Sequence, residues 1–238
     1  MPAQPLLCFA HRGGRGHGTE NTLDTIRQSL ALGVDAIEID VWLIGDTLLV
    51  THDRRLGRVI RGEGLLLDID TSLISELRNY DDSTVANLRD VLELIGDKAM
   101  LNIEIKGPDS VTTIVDTLRV FIKETGIDHR NYIISSFDHQ QLFWLKQNAP
   151  EFRRGVLICN IPLDYAACCD AIDAYSFHPS IDFINQALVD DANKRGLKIV
   201  VYTVNDEEDF RMLSEMGVAG VFTDYPDRLI AFNNSLNK

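Results

Sequence analysis

Eight strand-like runs alternate with eight helix-like segments along this 238-residue chain, and the alternation predicts an α/β fold, a closed (β/α)8 barrel with a small insertion after the second strand. Two further observations support it. The strand-like runs are short and mostly apolar, as strands covered on both faces must be. The exceptions to that rule, charged residues and histidines, gather at or just beyond strand ends, where barrels of this kind build their sites. An open doubly wound sheet is the alternative, since pattern alone does not show closure.

In chain order, Leu6-Leu7-Cys8-Phe9-Ala10 gives the first strand and residues 22–32 the first helix, with Gly33 placed to end it. Residues 36–41 form the second strand, and an extra strand, 48–51, follows it. A polar stretch then runs to Ala86, read as an insertion over about 53–86 that passes across the top of the barrel. The rhythm resumes with helix 87–95, strand 100–105 and helix 110–125, which Gly126 ends. Strand 132–137, helix 139–148, strand 155–159, helix 163–169, strand 174–177 and helix 181–195 continue it, with Gly196 closing the last. Strand 198–204 leads to helix 206–216, where Asn205 is the expected N-cap, Asp206, Glu207 and Glu208 load the first turn, and Gly217 ends it. Strand 220–223 and helix 226–233 complete eight units. No repeat or linker interrupts them, so one domain over 1–238 is expected.

Hydrophobic content of 45% and charged content of 25% are ordinary for a soluble globular chain. A net charge of −13 argues against nucleic acid as a partner, because phosphate backbones need clustered Lys and Arg. An anionic substrate would have to be drawn in by a few local cations. No run of 18 apolar residues exists, and Met1-Pro2-Ala3-Gln4-Pro5 has no leader character, so no stable membrane insertion and a cytoplasmic location are expected. The four cysteines lack zinc spacing. Cys8 and Cys159 read as buried thiols in strands, and Cys168 and Cys169 as helix residues.

Seven residues carry the chemistry. His11 and Arg12 follow the first strand, and His52 follows the extra one. Glu38 and Asp40 are two apart on the second strand, so they share a face, and Glu104 and Lys106 repeat the spacing on the third. Three carboxylates on neighbouring strands suit a hard divalent ion, Mg2+ or Ca2+, better than zinc. The alternative is an inward Glu104–Lys106 salt bridge with Glu38 and Asp40 hydrated. His11 and His52 fit a general acid–base pair. Arg12 and Lys106 beside them point to a phosphate-bearing substrate, unless Arg12 only closes the mouth with a salt bridge. Gly13-Gly14 matches no phosphate-loop pattern. His17 reads as peripheral, His129 and His139 as loop or cap residues, and His178 as a pocket or turn residue.

At these residues the chain resembles the glycerophosphodiester phosphodiesterase family. The matching phrases are His11-Arg12-Gly13, Glu20-Asn21-Thr22, Ile37-Glu38-Ile39-Asp40-Val41, His52-Asp53, Ile103-Glu104-Ile105-Lys106, Ser135-Ser136-Phe137, Val201-Tyr202-Thr203-Val204-Asn205 and Phe222-Thr223-Asp224-Tyr225-Pro226. They run in the family's order over nearly the whole chain. The resemblance implies a TIM-type barrel, a metal ion on Glu38, Asp40 and Glu104, acid–base work by His11 and His52, and phosphate binding by Arg12 and Lys106. It makes Glu20 and Asn21 supporting residues at the mouth; Phe137, His178 and Tyr202 are expected as substrate contacts. Thr19 departs from the family's usual proline, Tyr202 replaces its common tryptophan, and the insertion is short.

The expected activity is metal-dependent hydrolysis of small glycerophosphodiesters to sn-glycerol 3-phosphate and an alcohol. Which histidine is the base is open, as are the choice between attack by water and by the neighbouring glycerol hydroxyl, and the oligomeric state. One rival is a lysophospholipase D-like hydrolase on the same barrel, disfavoured by the lack of an exposed aromatic run. Another is an enolase-type lyase, for which Arg12 beside His11 has no use. A non-catalytic phosphodiester-binding protein is the third.

Overall fold

The computed structural model describes residues 3–236. Nine strands form: β1 (Leu7–Ala10), β2 (Ala36–Ile44), β3 (Thr47–Val50), β4 (Met100–Ile105), β5 (Tyr132–Ser136), β6 (Arg153–Ile158), β7 (Ser176–Pro179), β8 (Lys198–Val201) and β9 (Gly220–Thr223). Eight are parallel in the order β1-β9-β8-β7-β6-β5-β4-β2, and pairing of Phe9 with Ala36 and of Ala10 with Ile37 closes the ring. The closed barrel is therefore realised and the open sheet excluded. β3 lies outside the ring, antiparallel to β2 across the two-residue turn Gly45-Asp46, where Gly45 takes φ +57°.

The period of two decides what faces where. Cys8, Ile37, Ile39, Val41, Leu101, Ile103 and Ile105 point outward into the core shared with the helices, while Phe9, Ala36, Ile133, Val200 and Phe222 pack inside the barrel. Glu38 and Asp40 have the inward parity of Ala36, and Asn102 and Glu104 that of the inward residues of β4. The acids thus enter the lumen by the same alternation that sends the β-branched residues to the helix layer.

The helices are α1 (Leu23–Leu32), α2 (Leu88–Ile95), α3 (Ser110–Thr125), α4 (His139–Asn148), α5 (Cys168–Ile172), α6 (Gln186–Lys194), α7 (Glu207–Met216) and α8 (Pro226–Ser235). α2 shows their logic. Leu88, Val91, Leu92 and Ile95 are buried at i, i+3, i+4 and i+7, and a reciprocal Asn87–Asp90 capping box starts the helix, stabilising it by about 1 kcal/mol.

Several boundaries move. The helix expected at 163–169 forms as α5, five residues long and shifted to Cys168–Ile172. Residues 181–195 split into a 3-10 turn, Ile181–Phe183, and α6, because Asn185 caps Leu188 and restarts the chain. β7 sits two residues later than expected and so takes in His178. Cys159 lies just past β6 and is exposed, not buried.

After β3 the chain makes its excursion. Trp42, Ile44, Leu49, Ile60 and Leu66 form a small core of their own beneath it, with two 3-10 turns, Leu66–Asp68 and Thr71–Glu76. Among the described residues no helix is long and apolar enough to cross a membrane.

Candidate active site

The mouth of the barrel begins with a tight reversal after β1. Arg12 holds φ +50°, a left-handed conformation unusual for a side chain of this size. Its amide donates to Glu38 Oε2 at 2.7 Å and its Nη1 donates to Glu20 Oε1 at 2.9 Å, so both ends of the residue are fastened. Gly14 follows at φ +90°, and a Cβ there would lie 2.4 Å from Ser29 Oγ, so only glycine fits.

Glu38, Asp40 and Glu104 bring carboxylate oxygens within 4.8 Å of one another, as the pairing of Asp40 with Glu104 across β2 and β4 requires. Lys106 Nζ lies 2.7 Å from Glu104 Oε1 and 3.7 Å from Asp40 Oδ1. Asn21 fixes Asp40 by donating from Nδ2 to Oδ2 at 2.9 Å and accepting from the Asp40 amide at 3.3 Å. Burial would raise the Asp40 carboxyl, but Lys106 and Arg12 hold it below its usual range. For Glu38 the hydrogen bond and charge of Arg12 are not enough. Burial, together with the charges of Asp40 and Glu104, pushes it well up. Burial and Asp40 likewise raise Glu104 to about 7. Glu38 Oε1 is buried with no hydrogen-bond partner among the described residues. Three crowded carboxylates, one with an orphaned oxygen, and no thiolate among them make a donor set that fits a hard divalent cation.

Two histidines flank this cluster, each held by an aspartate. His11 Nδ1 is 2.6 Å from Asp224 Oδ1, and its Nε2 accepts from Arg12 Nε at 3.3 Å, which puts the ring proton on Nδ1. Asp224 is in turn held by Arg15 Nε at 2.8 Å and by Asn205 Nδ2 at 3.0 Å. Burial would raise Asp224, yet the hydrogen bonds from His11 and Arg15 keep it strongly ionised. His52 Nδ1 is 2.9 Å from Asp53 Oδ1, and Trp42 Nε1 anchors the His52 carbonyl at 3.2 Å. Burial lowers the affinity of both rings for a proton, against the opposing pull of Asp224 on His11 and of Asp40 and Asp53 on His52.

The remaining expected residues divide. Glu20 and Asn21 brace Arg12 and Asp40. Phe137 is exposed at the rim, its ring 5.9 Å from that of Tyr202 and 6.0 Å from Lys106 Nζ. Tyr202 donates its hydroxyl to the Ile158 carbonyl at 2.8 Å. His178 is not among them. It is fully buried, bonds Ser176 Oγ through Nε2 at 2.8 Å, packs on Phe222 and against Gly155, and is pushed down to about 3 by burial. His17 pairs with Asp227, away from the cluster.

Four site residues escaped the sequence reading of roles: Asp224, Asn205, Arg15 and Arg58. Asn205 was expected to cap α7, but its side chain turns instead to Asp224, accepting from the Asp224 amide at 2.9 Å, and Asp206 occupies the cap position. Asp224 had a legible signal, since it keeps the inward parity of Phe222 just past β9.

The model of the glycerophosphoryl diester phosphodiesterase family matches residues 11–228. The chain belongs to this family. A glycerophosphodiester phosphodiesterase of Caldanaerobacter subterraneus subsp. tengcongensis is 36% identical over 235 residues, 94% of this chain and 96% of its own length. The solved structure of an Oleispira antarctica phosphodiesterase in complex with the product sn-glycerol-3-phosphate has a TM-score of 0.87 at 26% identity, with 97% of each chain covered. A lysophospholipase D of Mus musculus is 24% identical over 276 residues, covering 96% of this chain and 82% of its own length. The family's TIM-type barrel is the fold found here.

Proposed function

We propose that the protein hydrolyses glycerophosphodiesters to sn-glycerol 3-phosphate and an alcohol, using a divalent metal ion and a pair of histidines with opposite roles. The observation that carries this reading is a triad of crowded carboxylates between two aspartate-held imidazoles at the mouth of the barrel. Glu38, Asp40 and Glu104 would hold the ion, which when bound supplies Lewis-acid charge to the nonbridging phosphate oxygens. Arg12 and Lys106 bring two further positive charges to the same place.

His11 is the base in this reading. Its Nδ1 proton is committed to Asp224, so Nε2 carries the lone pair. That lone pair now accepts a long bond from Arg12 Nε at 3.3 Å and would pass to the attacking hydroxyl as Arg12 turns to the phosphate. Water and the neighbouring glycerol hydroxyl present the same proton to it. His52 is the acid. Its ring is 32% exposed against 12% for His11, which suits a group that meets the departing alcohol near solvent. As the bond from phosphorus to the leaving oxygen breaks, the Nε2 proton of His52 passes to that oxygen. With water as attacker, solvent then takes the proton from His11 and returns one to His52; with the glycerol hydroxyl as attacker, the two roles reverse as water opens the cyclic phosphate.

A second reading has its own support. The sequence holds no contiguous aromatic run, yet the fold sets exposed Phe137, Ile161, Leu163 and Phe183 on the loops after β5, β6 and β7, on the catalytic face. Such a rim would accommodate the acyl chain of a lysophospholipid, and the mouse relative bears that activity in its name.

The test is a panel of glycerophosphodiesters and lysophosphatidylcholine, assayed after chelation with Mg2+, Ca2+ or Mn2+ added back. Release of sn-glycerol 3-phosphate from glycerophosphocholine is expected. Turnover confined to lysophosphatidylcholine would select the second reading, and no turnover of any substrate would overturn both.

A further inference from the structure

Arg58 belongs to the excursion after β3, outside the barrel, yet its guanidinium grips two acids behind the site. Nη2 lies 2.5 Å and Nη1 3.1 Å from the two oxygens of Glu20, while Nε bonds Asp53 Oδ2. Glu20 also accepts from Arg12, and Asp53 also holds Nδ1 of His52. One side chain of the insert therefore fastens, each through one carboxylate, the cation on the phosphate side and the histidine on the solvent side.

The local chain is shaped to deliver it. The Arg55–Leu65 bridge and the hydrogen bond from Leu56 N to Gly64 O make a narrow loop, and Gly57 N closes its tip on Ile60 O at 2.8 Å. Gly57 and Gly62 take φ +108° and +120°, which a side chain would resist. Ile60 and Leu66 root the loop on Trp42, the residue that also anchors the His52 carbonyl. Arg58 itself is half exposed, and an ion pair so placed adds little to stability. Its geometric effect is larger, because among the described residues the Asp53 carboxylate is held in place only by His52 and Arg58.

We propose that Arg58 is a positioning residue that aims His52, through Asp53, at the leaving-group oxygen. This rests on the acid role given to His52 above. With Arg58 absent, Asp53 can rotate, the His52 ring loses its fixed tautomer and direction, and proton delivery to the departing oxygen slows. Attack at phosphorus, served by His11 on the other side, is little affected, because Glu20 keeps its own hydrogen bond from Arg12 Nη1.

Two substrates separate these steps: glycerophosphocholine, whose alkoxide must be protonated as it leaves, and the p-nitrophenyl ester of glycerol 3-phosphate, whose phenolate leaves unprotonated. Arg58→Ala should lower kcat on the first by roughly ten- to a hundredfold, part of the range for general acid catalysis, and on the second by less than about threefold. Arg58→Lys should not restore the first substrate, because an ammonium lacks the fork that spans both acids. His52→Ala should show the same selectivity, larger. If His52→Ala is selective while Arg58→Ala lowers both substrates equally, or neither, the role of Arg58 falls. If His52→Ala itself shows no selectivity, the acid assignment falls and takes this role with it.

Discussion

His11 and His52 make the same local arrangement out of different parts of the molecule. His11 is set by the barrel: β1 carries it, Asp224 follows β9, and Asn205 from the loop after β8 locks that aspartate. His52 is set by an appendage: Asp53 is its next residue, and Arg58 rides on the insert. One station is mostly covered and framed by three strand ends; the other stands at the rim and depends on a loop. The difference teaches how a barrel can keep phosphate chemistry constant while loop changes alter what leaves.

The largest effects test whether both stations are catalytic. His11→Ala and His52→Ala should each lower kcat on glycerophosphocholine by roughly 10²- to 10⁴-fold. Calorimetry should still find a divalent ion bound, since neither ring supplies a carboxylate. Near-normal turnover in either variant would break the comparison at its root.

A smaller effect should rank the two aspartates. Asp224→Asn removes the acceptor that selects the Nδ1 proton of a mostly covered ring, and should cost at least roughly a hundredfold, as wrong-tautomer variants do. Asp53→Asn acts on a ring that water can partly serve, and should cost less. The reverse order, read from kcat, would put the rigid station on the insert side.

The pH profile comes next. The base must be neutral, and burial places His11 below its ordinary 6.5, only partly countered by Asp224. The acid limb of kcat/KM should therefore lie below 6.5, with activity lost as pH falls through the lowered value, while His52, whose proton affinity burial also lowers, must keep its proton and sets the alkaline limb. Asp224→Asn removes a raising influence and should push that limb further to acid. A limb above 6.5 in the wild-type protein would contradict the assignment.

The smallest effect belongs to the rim. Phe137 offers its ring to Lys106 Nζ at 6.0 Å, an exposed cation–π contact, so Phe137→Ala should raise KM by about two- to fivefold with kcat little changed.

Much of this was legible because alternation is a local property. Glu38 with Asp40 and Glu104 with Lys106 had to share a face once their strands formed, and neighbouring parallel strands had to bring the faces together. His178 was misjudged for the same reason in reverse: β7 begins two residues later than the apolar run suggested, so the histidine falls within the strand and is buried. Cys159 fails similarly, one residue past its strand. Asn205 reads locally as a helix cap, and a tertiary partner won it away. Arg58 carried no local signal, because its meaning arises only when the insert folds back onto Glu20.

The most direct test of the metal centre is to titrate chelated protein with a divalent cation while following sn-glycerol 3-phosphate released from glycerophosphocholine, comparing wild type with Glu38→Gln and Glu104→Gln. Release should be absent in chelator, return with the cation in wild type, and need far more cation, or fail, in the variants. Full release in chelator would contradict a metal role for the carboxylate cluster.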